Sequence, residues 1–124
     1  MSPRSEEFMT EAHACLRGAR VQIAADLPSR SVGESYYATL YAARAALSEV
    51  DRYAKTHGGV WTLFREVFVD PGRFDAELAG QGPRLQQIRE GADYEARGAS
   101  ADEAEAALTT AERFVTGVLA MLGE

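Results

Sequence analysis

Apolar residues recur every three to four positions through nearly all of this chain, and no stretch alternates as a half-buried strand would. The densest pattern lies between Tyr36 and Val50. Tyr36, Leu40, Ala43, Leu47 and Val50 form one helical stripe. Tyr37, Tyr41, Arg44 and Ser48 form an aromatic and polar stripe beside it. Ala38, Ala42 and Ala46 line the far side, where small side chains let another helix come close. A helix that is apolar most of the way round has neighbours on several sides. The pattern therefore predicts a central helix from about Val32 to Lys55.

The rest of the chain divides around it. Phe8, Ala12, Cys15, Leu16, Ala19, Ile23 and Leu27 predict a first helix from Pro3 to Ala25. Ser2 is placed to cap it, Pro3 suits its first turn, and Glu6 and Glu7 complement its dipole. Leu27 to Ser31 is a break, with Ser29 or Ser31 as the next cap. Thr56 to Gly59 is a second break, with Thr56 capping a short helix from Gly59 to Val69. The apolar face of that helix is Val60, Trp61, Phe64, Val67 and Phe68. Asp70, Pro71 and Gly72 make a turn, and one or two helical turns fit between Phe74 and Leu78. Pro83 opens a further helix to Ala96, with Leu85, Ile88 and Ala92 facing inward and Gly98 at its end. Ser100 and Glu103 form a capping box before a last helix from Ala101 to Leu122. The expectation is one all-α domain over residues 1–124. It is an antiparallel bundle of four long helices and one short one.

Composition narrows what such a bundle can do. The chain has 124 residues and a formal net charge of −6, which argues against nucleic-acid binding driven by overall charge. A local anion site remains open, because every cation except Lys55 is Arg, the residue that makes bidentate phosphate contacts. The one cysteine, Cys15, has no internal disulfide partner and lies in the first apolar stripe, so it reads as a small core residue in a reducing compartment. No signal-like apolar core or membrane-length run occurs, so a cytoplasmic protein with no membrane association is expected. His and Cys show no metal-ligand spacing, and no glycine-rich phosphate loop follows a strand. The residues thus imply neither metal nor cofactor.

Candidate chemistry concentrates between Arg84 and Tyr94. Arg89 and Asp93 are four apart and share a helix face, with Gln86 near it. Tyr94 lies roughly 140° round from Arg89 on an ideal helix, so the two meet only if the helix end unwinds. A plain surface ion pair is the competing reading, worth a few tenths of a kcal/mol. His57, at a helix start beside two glycines, is a further candidate for proton transfer or for a simple capping role. In the central helix Arg44 either snorkels to water or pairs with a surface carboxylate, or else joins Tyr37 in lining a site.

Three stretches together resemble a known family. Ser35-Tyr-Tyr-Ala-Thr-Leu-Tyr-Ala-Ala-Arg-Ala-Ala-Leu47 is similar to the Tyr-Tyr-Ala helix of HEPN domains (higher eukaryotes and prokaryotes nucleotide-binding). Thr56-His-Gly-Gly-Val-Trp-Thr-Leu-Phe64, continuing to Phe68-Val69, resembles their His-Ser-Gly helix. Arg89-Glu-Gly-Ala-Asp-Tyr94 resembles their Arg-x-x-Ala-Asp-Tyr. The resemblance is to the small prokaryotic branch often paired with a minimal nucleotidyltransferase. It implies a homodimeric bundle with the polar motif at the dimer cleft. It also implies a role in a toxin–antitoxin-type or regulatory module that binds such a partner and RNA or nucleotide. Arg89, Tyr94, Arg44 and Tyr37 are then the binding candidates. Many HEPN domains are metal-independent endoribonucleases with an Arg, a spacer of four to six residues and a His. Here Tyr94 stands where a four-residue spacer would put the His, and Glu34 replaces an Arg before the Tyr-Tyr pair. Catalysis would rest on Arg89, Asp93 and Tyr94, with His57 as a remote proton carrier. A dimerisation module without catalysis is the remaining alternative.

Overall fold

The computed structural model describes residues 1–124. Helix α1 spans Pro3–Ala24 and α2 spans Pro28–Glu49. Helix α3, His57–Phe64, runs straight into a π-helical turn, Arg65–Val69. A four-residue helix α4, Ala76–Ala79, precedes α5, Gln81–Tyr94, and α6, Ala101–Met121. The four long helices and the short α3 match the expected architecture, and there is no strand. The caps of α1, α3 and α6 are those read from the sequence. Ser2 Oγ accepts from Ser5 N, Thr56 Oγ1 accepts from Gly59 N, and Ser100 with Glu103 makes the full capping box.

The main misplacement concerns α2. It begins four residues before the expected Val32, because Pro28 serves as its first residue, where a missing N–H costs nothing. Neither candidate serine caps it. Ser29 Oγ instead accepts from Ala99 N at 2.8 Å, and Ser31 Oγ donates to Ala19 O at 2.9 Å. The helix also ends at Glu49 rather than Lys55. Arg52 N reaches back to Leu47 O and Asp51 N to Ser48 O, with Asp51 at φ 56°, which is a Schellman closure. Helix α3 starts at His57 rather than Gly59, and its expected last turn is π-helical, with Asp70 N bonded to Arg65 O at 2.9 Å. Helix α5 starts at Gln81, with Pro83 as its third residue, still within the turn that needs no N–H donors. It stops at Tyr94, where Glu95 turns extended, rather than at Ala96.

Chain directions follow from contacts between helix ends. Ser5 at the start of α1 bonds Ala45 near the end of α2, so these two are antiparallel. The termini meet where Met1 N lies 3.1 Å from Glu124, so α6 is antiparallel to α1. Ala99, just before α6, bonds Ser29 at the start of α2, so α2 and α6 run parallel. Twelve of the 22 residues of α2 are buried, and it packs against α1, α3, α5 and α6, as the central position requires. Its Ala38, Ala42, Ala45 and Ala46 are fully buried at these close approaches. At the end nearer α3 the core becomes aromatic. Phe64 lies 5.1 Å from Phe68, 5.0 Å from Phe74 and 5.5 Å from Phe114, ring centre to ring centre. Cys15 packs against the core, where burial pushes its thiol up to about 11. No helix is long and apolar enough to cross a membrane.

Candidate functional site

Two consecutive tyrosines of α2 organise the site. Tyr36 belongs to the inward stripe and is fully buried, whereas Tyr37, one position round, is half-buried. Helix α5 crosses this point. The Arg89 guanidinium carbon lies 5.4 Å from the centre of the Tyr36 ring and 5.4 Å from that of Tyr37. A cation in that position is attracted by both ring faces, each contact contributing about 0.5–2 kcal/mol. The Arg89 side chain is 22% exposed, and its Nη1 stands 3.6 Å from Asp93 Oδ2. Asp93 is 56% exposed, so that ion pair is weak and leaves the guanidinium free for another anion.

Arg89 opens onto a cleft of about 250 Å³ between the end of α1, the start of α2 and α5. Gln22 lines it from α1, Arg30, Glu34 and Tyr37 from α2, and Asp93 from α5. Only three buried side-chain polar atoms in the protein lack a hydrogen-bond partner, and two belong to this cleft's lining: Gln22 Oε1 and Arg89 Nε. Burial raises the Glu34 carboxyl above its usual range. Gly18 makes room for it, since a Cβ there would lie 2.5 Å from Glu34 Oε2.

The short helix α3 brings His57 to the other side of the same tyrosines. His57 Nδ1 is 3.0 Å from the Tyr36 hydroxyl, and its ring stands edge-on to Tyr37 with centres 6.0 Å apart. Burial, followed by the positive charges of Arg44 and Arg89, lowers the His57 pKa below the usual imidazole value. The shift favours the neutral ring. If Nδ1 donates to Tyr36, Nε2 is a free base. If Tyr36 donates to Nδ1, Nε2 carries the proton and is an acid. Burial pushes the Tyr36 phenol up to about 12, so it stays protonated.

The remaining candidates are placed apart. Tyr94 is the last residue of α5 and 90% exposed, and it makes no ring contact with Arg89 or the α2 tyrosines. Arg44 neither pairs with a carboxylate nor lines the Arg89 cleft. Its Nη1 donates to Ala54 O at 3.0 Å, and its guanidinium covers the Tyr53 ring. Sequence reasoning did not reach the Tyr36 hydroxyl or Gln22. The signal for Tyr36 was chemical: a tyrosine in a buried stripe brings a hydroxyl that needs a partner. Gln22 had no such signal, since a glutamine near a helix end is ordinary surface composition.

Behind Tyr36, Trp61 Nε1 donates to Gln86 Oε1 at 3.1 Å, and Gln86 Nε2 donates to Glu90 at 3.2 Å. This ties α3 to α5 one turn from Arg89. The site thus offers a cation, the half-exposed ring of Tyr37 and an imidazole biased toward its neutral form around one pair of tyrosines. The family model described as HEPN domain matches residues 5–121 of the chain. The UPF0332 protein glr0978 of Gloeobacter violaceus is 33% identical over 94 residues, covering 76% of this chain and 75% of that relative.

Proposed function

The chain belongs to the HEPN domain family, and from that premise we propose that its Arg89 cleft binds a phosphate-bearing ligand, RNA or a nucleotide. One observation carries this reading: Arg89 is held over two tyrosine rings with part of its side chain exposed at a cleft wall. Its outer N–H groups can therefore meet phosphate oxygens while Nε stays buried. In this reading Arg89 holds the phosphate, Asp93 orients Arg89 or a ligand hydroxyl, and the half-exposed Tyr37 stacks on a base. The protein works in the cytoplasm as a homodimer in a toxin–antitoxin-type or regulatory pair with a nucleotidyltransferase. Light scattering at micromolar concentration should return the mass of two chains, and a single-chain mass would contradict the dimer.

A second reading, metal-independent RNA cleavage, is favoured by the Tyr36–His57 contact beside Arg89. A neutral imidazole is suited to proton transfer near pH 7, and Arg89 would stabilise charge developing on the phosphate. An RNA incubation in EDTA with the parent, Arg89→Ala and His57→Ala separates the two. Cleavage by the parent alone supports the ribonuclease. RNA bound but left intact by the parent, and released in Arg89→Ala, supports the binding module. A parent that neither binds nor cleaves RNA or nucleotide contradicts both.

A further inference from the structure

A second cavity, of about 410 Å³, lies on the far side of the Trp61–Gln86 hydrogen bond and shares none of the lining residues of the Arg89 cleft. One wall comes from α3 and the π-helical turn: Gly58, Trp61, Thr62 and Arg65. The opposite wall comes from α4 and the start of α5, where Ala79 and Pro83 present small or flat surfaces. The volume is that of a small-molecule pocket, and such pockets combine apolar walls with a few polar groups. Arg65 is the one charged side chain in the lining, is exposed, and makes no ion pair.

The local backbone is arranged around this space. The wide π-helical turn puts both Arg65 and Val69 on the cavity wall, and such turns are frequent at functional sites. Gly82 lets α5 close against the indole, since a Cβ there would lie 2.5 Å from Trp61 Cζ3. Gly58 also lines the cavity, and a Cβ there would meet no atom within 4 Å. The wall is therefore uncrowded at Gly58, whereas Gly82, outside the lining, holds α5 tight against the indole.

We propose that this cavity is a ligand site for a planar aromatic ring carrying an anionic group, with the ring against Trp61 and the anion on Arg65. The small residues of α4 and α5 leave room for the ring beside Trp61, and the lone guanidinium selects the charge. A nucleotide and a free aromatic carboxylate share this chemistry.

Trp61 is the only tryptophan, so its fluorescence reports occupancy directly. The parent protein is titrated with AMP, benzoate, uncharged adenosine and inorganic phosphate. Saturable quenching by AMP or by benzoate is expected, at affinities about tenfold or more above those of adenosine and phosphate. The tighter of the two names the source of the ring. Gly58→Leu should abolish the quenching while melting at the parent's temperature or higher, because a helical glycine is replaced in open space. Arg65→Gln should weaken binding about tenfold, whereas Arg89→Ala should leave it intact. The proposal is overturned if no probe binds the parent at millimolar concentration, if Gly58→Leu binds like the parent, or if Arg89→Ala loses binding.

Discussion

At the scale of single residues, Tyr36 is both core and site. Its ring fills the central stripe, yet its hydroxyl meets His57 and its face carries Arg89. The Arg89 charge is one cause of the lowered His57 pKa, after burial and Arg44. NMR titration should find His57 below the usual imidazole value, and Arg89→Ala should move it upward. An unchanged His57 in that variant would mean that Arg89 does not reach it. A stability effect follows from the same shift. Below the ordinary imidazole pKa the unfolded chain takes up a proton that the folded ring refuses, so unfolding becomes easier as pH falls through that window. His57→Gln should flatten this part of the stability curve. Arg89 and Asp93 were legible as a pair from their spacing, and His57 from its place in a glycine-rich break. Their common neighbour Tyr36 was not, because helical periodicity assigns a buried aromatic to packing and is silent on its hydroxyl.

At the scale of elements, apolar period and caps located every long helix, and the errors fall where tertiary contacts reassign local signals. Ser29 and Ser31 looked like caps, but Ala99 and Ala19 claim their hydroxyls. Residues 50–55 looked like the end of α2, but Asp51 closes the helix in the left-handed region. The packing of α5 on α3 depends on Gly82 in the same non-local way. Gly82→Ala gains up to about 1 kcal/mol of helix propensity, but its methyl must displace the indole at a cost of about 1–3 kcal/mol. The variant should melt lower and show altered Trp61 emission, because the Nε1 bond to Gln86 is disturbed. Emission and melting like the parent's would show that α5 shifts freely against α3.

At the scale of the molecule, α2 holds the bundle together through contacts with four other helices. Leu40 is 2% exposed at its centre. Leu40→Asp would bury an unpaired carboxylate, a cost comparable with the whole stability of a domain, about 5–15 kcal/mol. The variant should be unfolded by circular dichroism, and a cooperative melt like the parent's would contradict this account of the core. The claim on which the functional reading stands is that Arg89 waits for an anion. Fluorescence anisotropy with a short single-stranded RNA in EDTA tests it most directly, comparing the parent with Arg89→Ala at matched melting temperature. The account predicts that the variant binds about tenfold or more weakly, as loss of a charge-assisted contact implies. Equal affinity in the two proteins would contradict it and remove the phosphate from this cleft.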